Sequence, residues 1–128
     1  MDKIEVKFKS IIEGAQIPEY DTKHSSGCDL ALSLNHEIIL YPCEVQSLPN
    51  GIAVEIPAGF EGQIRSRSGM ARKGIVVANA PGTVESGYTE EIKILLLNTT
   101  DKPIKILPGQ KVAQIVFVPI VRAEFIPI

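Results

Sequence analysis

Cysteine is scarce in this chain. Cys28 and Cys43 are the only two, neither belongs to a Cys-x-x-Cys pair, and no histidine stands at ligand spacing from them. The expectation is two reduced thiols in a cytosolic protein rather than a disulfide scaffold or a zinc site. His36-Glu37 opens like a zinc-protease helix, but Leu40 occupies the place of the second histidine, which excludes that motif. His24 and His36 are left as surface or cap residues. A basic excess is missing as well: the net charge of −2 argues against a nucleic-acid-binding module. No stretch approaches the roughly 18 to 20 apolar residues of a membrane span. The opening MDKIEVKFKS alternates charged and apolar residues, unlike a signal or transit peptide, so a cytoplasmic location is expected. Asn98-Thr99-Thr100 is a glycosylation sequon in letters only, since nothing directs the chain through a secretory route. P-loop, GxGxxG and GxSxG motifs are all absent.

What is present is a succession of short strands. At 128 residues the chain is long enough for one domain with a single core, and 45% hydrophobic with 22% charged residues is ordinary for such a domain. One domain over residues 1–128 is expected. Strands are expected over Ile4 to Lys9, Glu37 to Leu40, Ile52 to Pro57, Phe60 to Arg67, Ile75 to Ala78, Ile92 to Leu97 and Lys111 to Pro119. Pro49-Asn50-Gly51 and Pro57-Ala58-Gly59 read as turns. The spacing, close to about 8–12 residues per strand, predicts an all-β fold, a jelly-roll-like barrel or sandwich with little helix. A turn or two of helix is predicted from Ser68 to Lys73, with Ser68 as N-cap and Gly74 as the stop.

Four polar segments interrupt the strands: Gly27-Cys28-Asp29-Leu30, Arg65 through Ala71, Asn79 through Tyr88, and Gly109 through Gln114. In the second, arginine, a hydroxyl and a glycine at a helix start make an anion site, or equally a plain strand-to-helix junction with a surface arginine. In the third, an apolar strand enters Asn79, bends through Pro81-Gly82 and returns into Ile92 to Leu97. That is a β-hairpin with a long tip, whose backbone amides could read the edge of a planar base. Tyr88 could stack on a sugar or base, or sit as a half-buried strand tyrosine.

In order and spacing, these four segments resemble the motifs of the homotrimeric deoxyuridine triphosphate nucleotidohydrolases (dUTPases), over almost the whole chain. The resemblance implies hydrolysis of dUTP to dUMP and pyrophosphate, limiting uracil in DNA and supplying dUMP. It implies that Arg67, Ser68 and Gly69 hold the triphosphate, assisted by Gln114. Asn79, Gly82 and the backbone through Thr83 and Val84 would read uracil, and Tyr88 would lie against the deoxyribose and exclude a 2′-hydroxyl. Lys93 matches a substrate-contact position, and Asp29 would orient its neighbours or hold waters of a magnesium shell. Mg²⁺ would be carried mainly by the triphosphate oxygens, and sites would form between subunits of a homotrimer. Neither nucleic acid nor membrane is an expected partner. The apolar end, Phe125 to Ile128, suggests packing against a neighbouring subunit.

Three departures accompany the resemblance. The family's catalytic aspartate position holds Glu85, one methylene longer. Glu90 stands where the family has glycine after the tyrosine, and the family's glycine-rich C-terminal arm is absent from these 128 residues. They motivate one rival reading, a dUTPase-like nucleotide-binding regulator with weak or no hydrolysis. A dCTP deaminase-like enzyme, sharing the fold, is a further alternative, although the tight spacing from Thr83 to Tyr88 suits a dUTPase better.

Overall fold

Strand periodicity accounts for most of the architecture. In the strand Glu91–Asn98, the side chains of Ile92, Ile94, Leu96 and Asn98 are buried and those between them are less so, the period of two expected of a sheet with one core face. The computed structural model describes residues 2–128. Its strands are β1 (Lys7–Ser10), β2 (Glu19–Tyr20), β3 (Cys28–Ala31), β4 (Ile38–Leu40), β5 (Val45–Glu55) and β6 (Phe60–Ser66). A short helix α1 (Ser68–Arg72) follows, then β7 (Ile75–Val77), β8 (Gly82–Glu85), β9 (Glu91–Asn98), β10 (Ile104–Ile106) and β11 (Lys111–Pro119). The four-stranded sheet has the order β1-β5-β9-β7, the five-stranded sheet β2-β3-β11-β6-β8, and β10 pairs with β4. Every ladder is antiparallel. The sheets share one core, in which Ile52, Ile94 and Leu96 of the first meet Leu30, Ile64 and Ile115 of the second. The predicted all-β class is thus present, as a sandwich with open sheet edges rather than a closed barrel.

Local chemistry misled the sequence reading at four places. Pro49-Asn50-Gly51 is no turn: it lies inside β5, where the register against β9 slips between Pro49 and Ala53. Gly51 keeps the positive φ that its residue type suggested (+85°), spent on a bulge instead of a chain reversal. The bulge is anchored by the buried Asn50, whose amide donates to the carbonyl of Ala31 at 2.8 Å. Ser68 is not the N-cap. That position is Arg67, in extended backbone and without a side-chain cap, because a guanidinium carries only donors and cannot accept a helix N–H. Gly74 does end the helix, at φ +88°. The first strand begins at Lys7 rather than Ile4, with all four residues exposed at a sheet edge. The fourth correction concerns the hairpin: β7 does return antiparallel to β9, but the stretch between them is itself a strand. It crosses to the other sheet and pairs with β6.

Candidate active site

β6 ends at Ser66, and the next residue, Arg67, turns the chain into α1 with its side chain directed across two further strands. The Nε of Arg67 lies 3.0 Å from Oδ1 of Asp29 on β3, and an Nη1 hydrogen is donated to the carbonyl of Lys111 on β11 at 3.0 Å. Lys111 Nζ approaches the other oxygen of Asp29 at 3.9 Å. Asp29 is only 14% exposed and sits between two cations, which suits the orienting role expected of it. Gln114 lies opposite both Asp29 and Arg65 in the sheet and donates to the carbonyl of Ser66 at 3.1 Å. Its Oε1 occupies the space that a side chain at Gly27 would need, so any larger residue there would displace the Gln114 amide.

These contacts shape a cavity of about 320 Å³ lined by Arg67, Ser68, Gly69, Met70, Lys73 and Gln114. A Cβ on Gly69 would meet nothing within 4 Å, so the unliganded fold does not need glycine there; the glycine leaves room over the cavity. Lys73 was missed by the sequence reading. Its place, one turn beyond Ser68-Gly69 on the predicted helix, was the available signal. Among the described residues no ion pair engages it, so its ammonium is free for an anion.

A second cluster forms on β8 and the loop that follows. Asn79 folds over Gly82, where an added Cβ would come within 3.1 Å of the asparagine nitrogen. Val84 points into the core at 5% exposure, while Thr83 and Glu85 face out. β8 is an edge strand, so one side of its backbone lacks a ladder partner, and it is this backbone that a planar base could pair with. Tyr88 is held at both ends: its N–H donates to the Glu85 carbonyl at 3.0 Å and its hydroxyl to the Glu91 carbonyl at 2.9 Å. Lys93 pairs with Glu91 at 3.3 Å. Glu85 and Glu90 are exposed, and among the described residues neither forms an ion pair.

The two clusters do not meet at Glu85. Glu85 stands opposite Glu61 at the start of β6, six residues from Arg67, or about 20 Å along an extended strand. Within one chain, therefore, the carboxylate does not reach a phosphate held at Arg67. Among the described residues no three of histidine, cysteine, aspartate and glutamate gather as a metal site. The buried thiol of Cys28 is pushed above its ordinary pKa, first by burial, and belongs to the core rather than to either cluster.

Comparison with known proteins gives the family. A family model described as dUTPase matches residues 13–128. The chain belongs to the dUTPase family. A deoxyuridine 5'-triphosphate nucleotidohydrolase of Wolbachia pipientis subsp. Culex pipiens (strain wPip) is 44% identical over 122 residues, covering 93% of this chain and 80% of that protein. Among solved structures, a variant dUTPase of Staphylococcus bacteriophage 80alpha with dUpNHpp is 25% identical with a TM-score of 0.86, covering 98% of this chain and 97% of that one. A variant dUTPase from phage phi11 of S. aureus, solved with attention to the coordination of a structural Mg(II) ion, has a TM-score of 0.87 at 24% identity. It covers 98% of this chain and 97% of its own.

Proposed function

We propose that this dUTPase-family protein is a dUTP diphosphatase, hydrolysing dUTP to dUMP and pyrophosphate. The observation that carries the reading is the cavity in front of Arg67, whose guanidinium is fixed by Asp29 and by the Lys111 carbonyl while Lys73 stays free. Two cations, a hydroxyl and an open glycine suit a chain of phosphates, with Gln114 as a further donor. At the other cluster, the free edge of β8 would read uracil through Gly82, Thr83 and Val84, with Asn79 bracing the bend. Tyr88, tied at its hydroxyl, would present its ring to the deoxyribose. Glu85, exposed and free of ion pairs among the described residues, is the general base. It takes a proton from the water that attacks the α-phosphorus, the bond from that phosphorus to the bridging oxygen breaks, and pyrophosphate leaves.

Asp29 already spends both oxygens on cations, so it suits the orienting role better than direct metal ligation. A magnesium ion would enter with the triphosphate, whose hard oxygens match it, and would offset the phosphate charge there. The distance between Glu85 and Arg67 along β6 supports a site shared between subunits of the expected homotrimer, one supplying the phosphate cavity and its neighbour β8. The exposed apolar residues Val121, Phe125 and Ile126 provide further surface for such packing. A cytoplasmic location accords with this chemistry, and among the described residues no helix is long and apolar enough to cross a membrane. The family and its named relatives favour hydrolysis over the regulator and the deaminase.

The test is incubation of the protein with Mg²⁺ and dUTP in H₂¹⁸O. Label in dUMP, and none in pyrophosphate, is the expected result; label in pyrophosphate would place the attack on the wrong phosphorus. The shared site is checked by mixing subunits of Glu85→Gln and Arg67→Ala, each strongly impaired alone at dUTP concentrations well below KM. Recovery of partial activity is expected, and none would confine the site to one chain.

A further inference from the structure

Glu91 connects features that neither cluster explains by itself. It opens β9 directly after the Tyr88 loop and stands opposite Ala53, just past the β5 bulge. The bulge turns the N–H of Gly51 out of the ladder, and one carboxylate oxygen of Glu91 accepts it at 3.0 Å. The other oxygen pairs with Lys93 at 3.3 Å, and the side chain is 14% exposed. The main-chain carbonyl of the same residue accepts the Tyr88 hydroxyl at 2.9 Å. Tyr88 in turn closes back on the Glu85 carbonyl through its N–H. The stretch from Glu85 to Glu91 is thus a closed loop around one aromatic ring, moored to the neighbouring strand by the Glu91 carboxylate.

We propose that Glu91 is a positioning residue for sugar discrimination. Its carboxylate, clamped between the Gly51 N–H and Lys93, sets the place of the carbonyl that tethers Tyr88, and hence the pose of the ring. A ring fixed at its hydroxyl is a rigid wall that an extra 2′-hydroxyl cannot push aside, whereas an untethered ring can swing. Site side chains hold a geometry to a fraction of an ångström only when a supporting layer locks them. The Pro49-Asn50-Gly51 bulge would then serve the site, by turning a backbone donor toward Glu91. The inference rests on the reading of Tyr88 given above.

The experiment compares kcat/KM for dUTP and for UTP in the wild type, Glu91→Ala, Glu91→Gln, Tyr88→Phe and the double variant Glu91→Ala/Tyr88→Phe. Glu91→Ala and Tyr88→Phe should each lower the dUTP/UTP ratio roughly tenfold, the effect of losing one hydrogen bond of ordinary strength. The double variant should fall no further than the worse single, because both remove one tether. Glu91→Gln, which retains an oxygen for the Gly51 N–H, should recover most of the ratio. A lowered Tm with an unchanged ratio in Glu91→Ala would make Glu91 merely structural and overturn the proposal, as would losses that multiply in the double variant. Tyr88→Phe, on an exposed side chain, decides the matter even where Glu91→Ala does not fold: an unchanged ratio rules out the tether. A wild type that fails to hydrolyse dUTP, or does not prefer it to UTP, overturns the reading of the site instead.

Discussion

The two ends of β6 are built in opposite ways. At its C-terminal end, Arg67 is held by Asp29 and by the Lys111 carbonyl, partners 38 and 44 residues away in sequence, so the fold itself shapes the cavity beside it. Beside its N-terminal end, Glu85 faces Glu61 across the ladder, exposed and without an ion pair among the described residues, and its loop is closed by contacts within a few residues of it. Under the proposed function, a preorganised binding end and an open reactive end would divide the labour as transition-state catalysis requires. The first would spend its rigidity on orientation, and the second would leave its carboxylate open to a water. Position 85 is exposed, so the extra methylene of a glutamate can extend into solvent there.

The largest expected effect tests the reactive end. Glu85→Gln should lower kcat by about 10²–10⁴-fold, the range of a lost general base, while a non-hydrolysable dUTP analogue still binds and Tm holds. A parallel loss of binding would move Glu85 from the chemistry to the scaffold. Next, Arg67→Ala should weaken dUTP binding roughly 10- to 150-fold, the equivalent of a charge-assisted hydrogen bond, and deoxyuridine binding hardly at all. Calorimetry with both ligands decides, and equal losses would take Arg67 away from the phosphates. Asp29→Ala should raise KM about tenfold and lower Tm by a few degrees, because it leaves two cations uncompensated beside each other. An unaltered Tm would mean that the phosphate end is no better organised than the reactive one. Smallest is Gly69→Ala. Alanine is the better helix former by about 1 kcal/mol, so Tm should rise slightly while dUTP binding weakens, since the added methyl projects into open space at the cavity.

Much of the candidate site could be named from the sequence because its motif residues stand in order along the chain. Arg67-Ser68-Gly69, Asn79 and Tyr88 stand in recognisable order, and the structure pairs Asp29 with Arg67 and places Gln114 beside it on the cavity wall. Lys73 and Glu91 were overlooked because their local signals are weak, helical spacing from Ser68-Gly69 for one and a strand start for the other. A lysine in a helix and a glutamate at a strand start are unremarkable until a cavity wall or a displaced N–H is known to lie beside them.

The sequence alone determined the strand periodicity, the positive φ at Gly51 and Gly74 and the end of the helix, since each depends on one residue's conformational range or on alternation along a few neighbours. Only the tertiary structure decided that Gly51 serves a bulge rather than a turn. It also decided that Gly82–Glu85 leaves its hairpin to become the edge of the opposite sheet, and that Arg67 caps α1 while its side chain answers Asp29. The physical reason is the same in each case. A backbone N–H, a sheet edge or a guanidinium must find a partner, and in a β-sandwich that partner lies on another strand, tens of residues away along the chain.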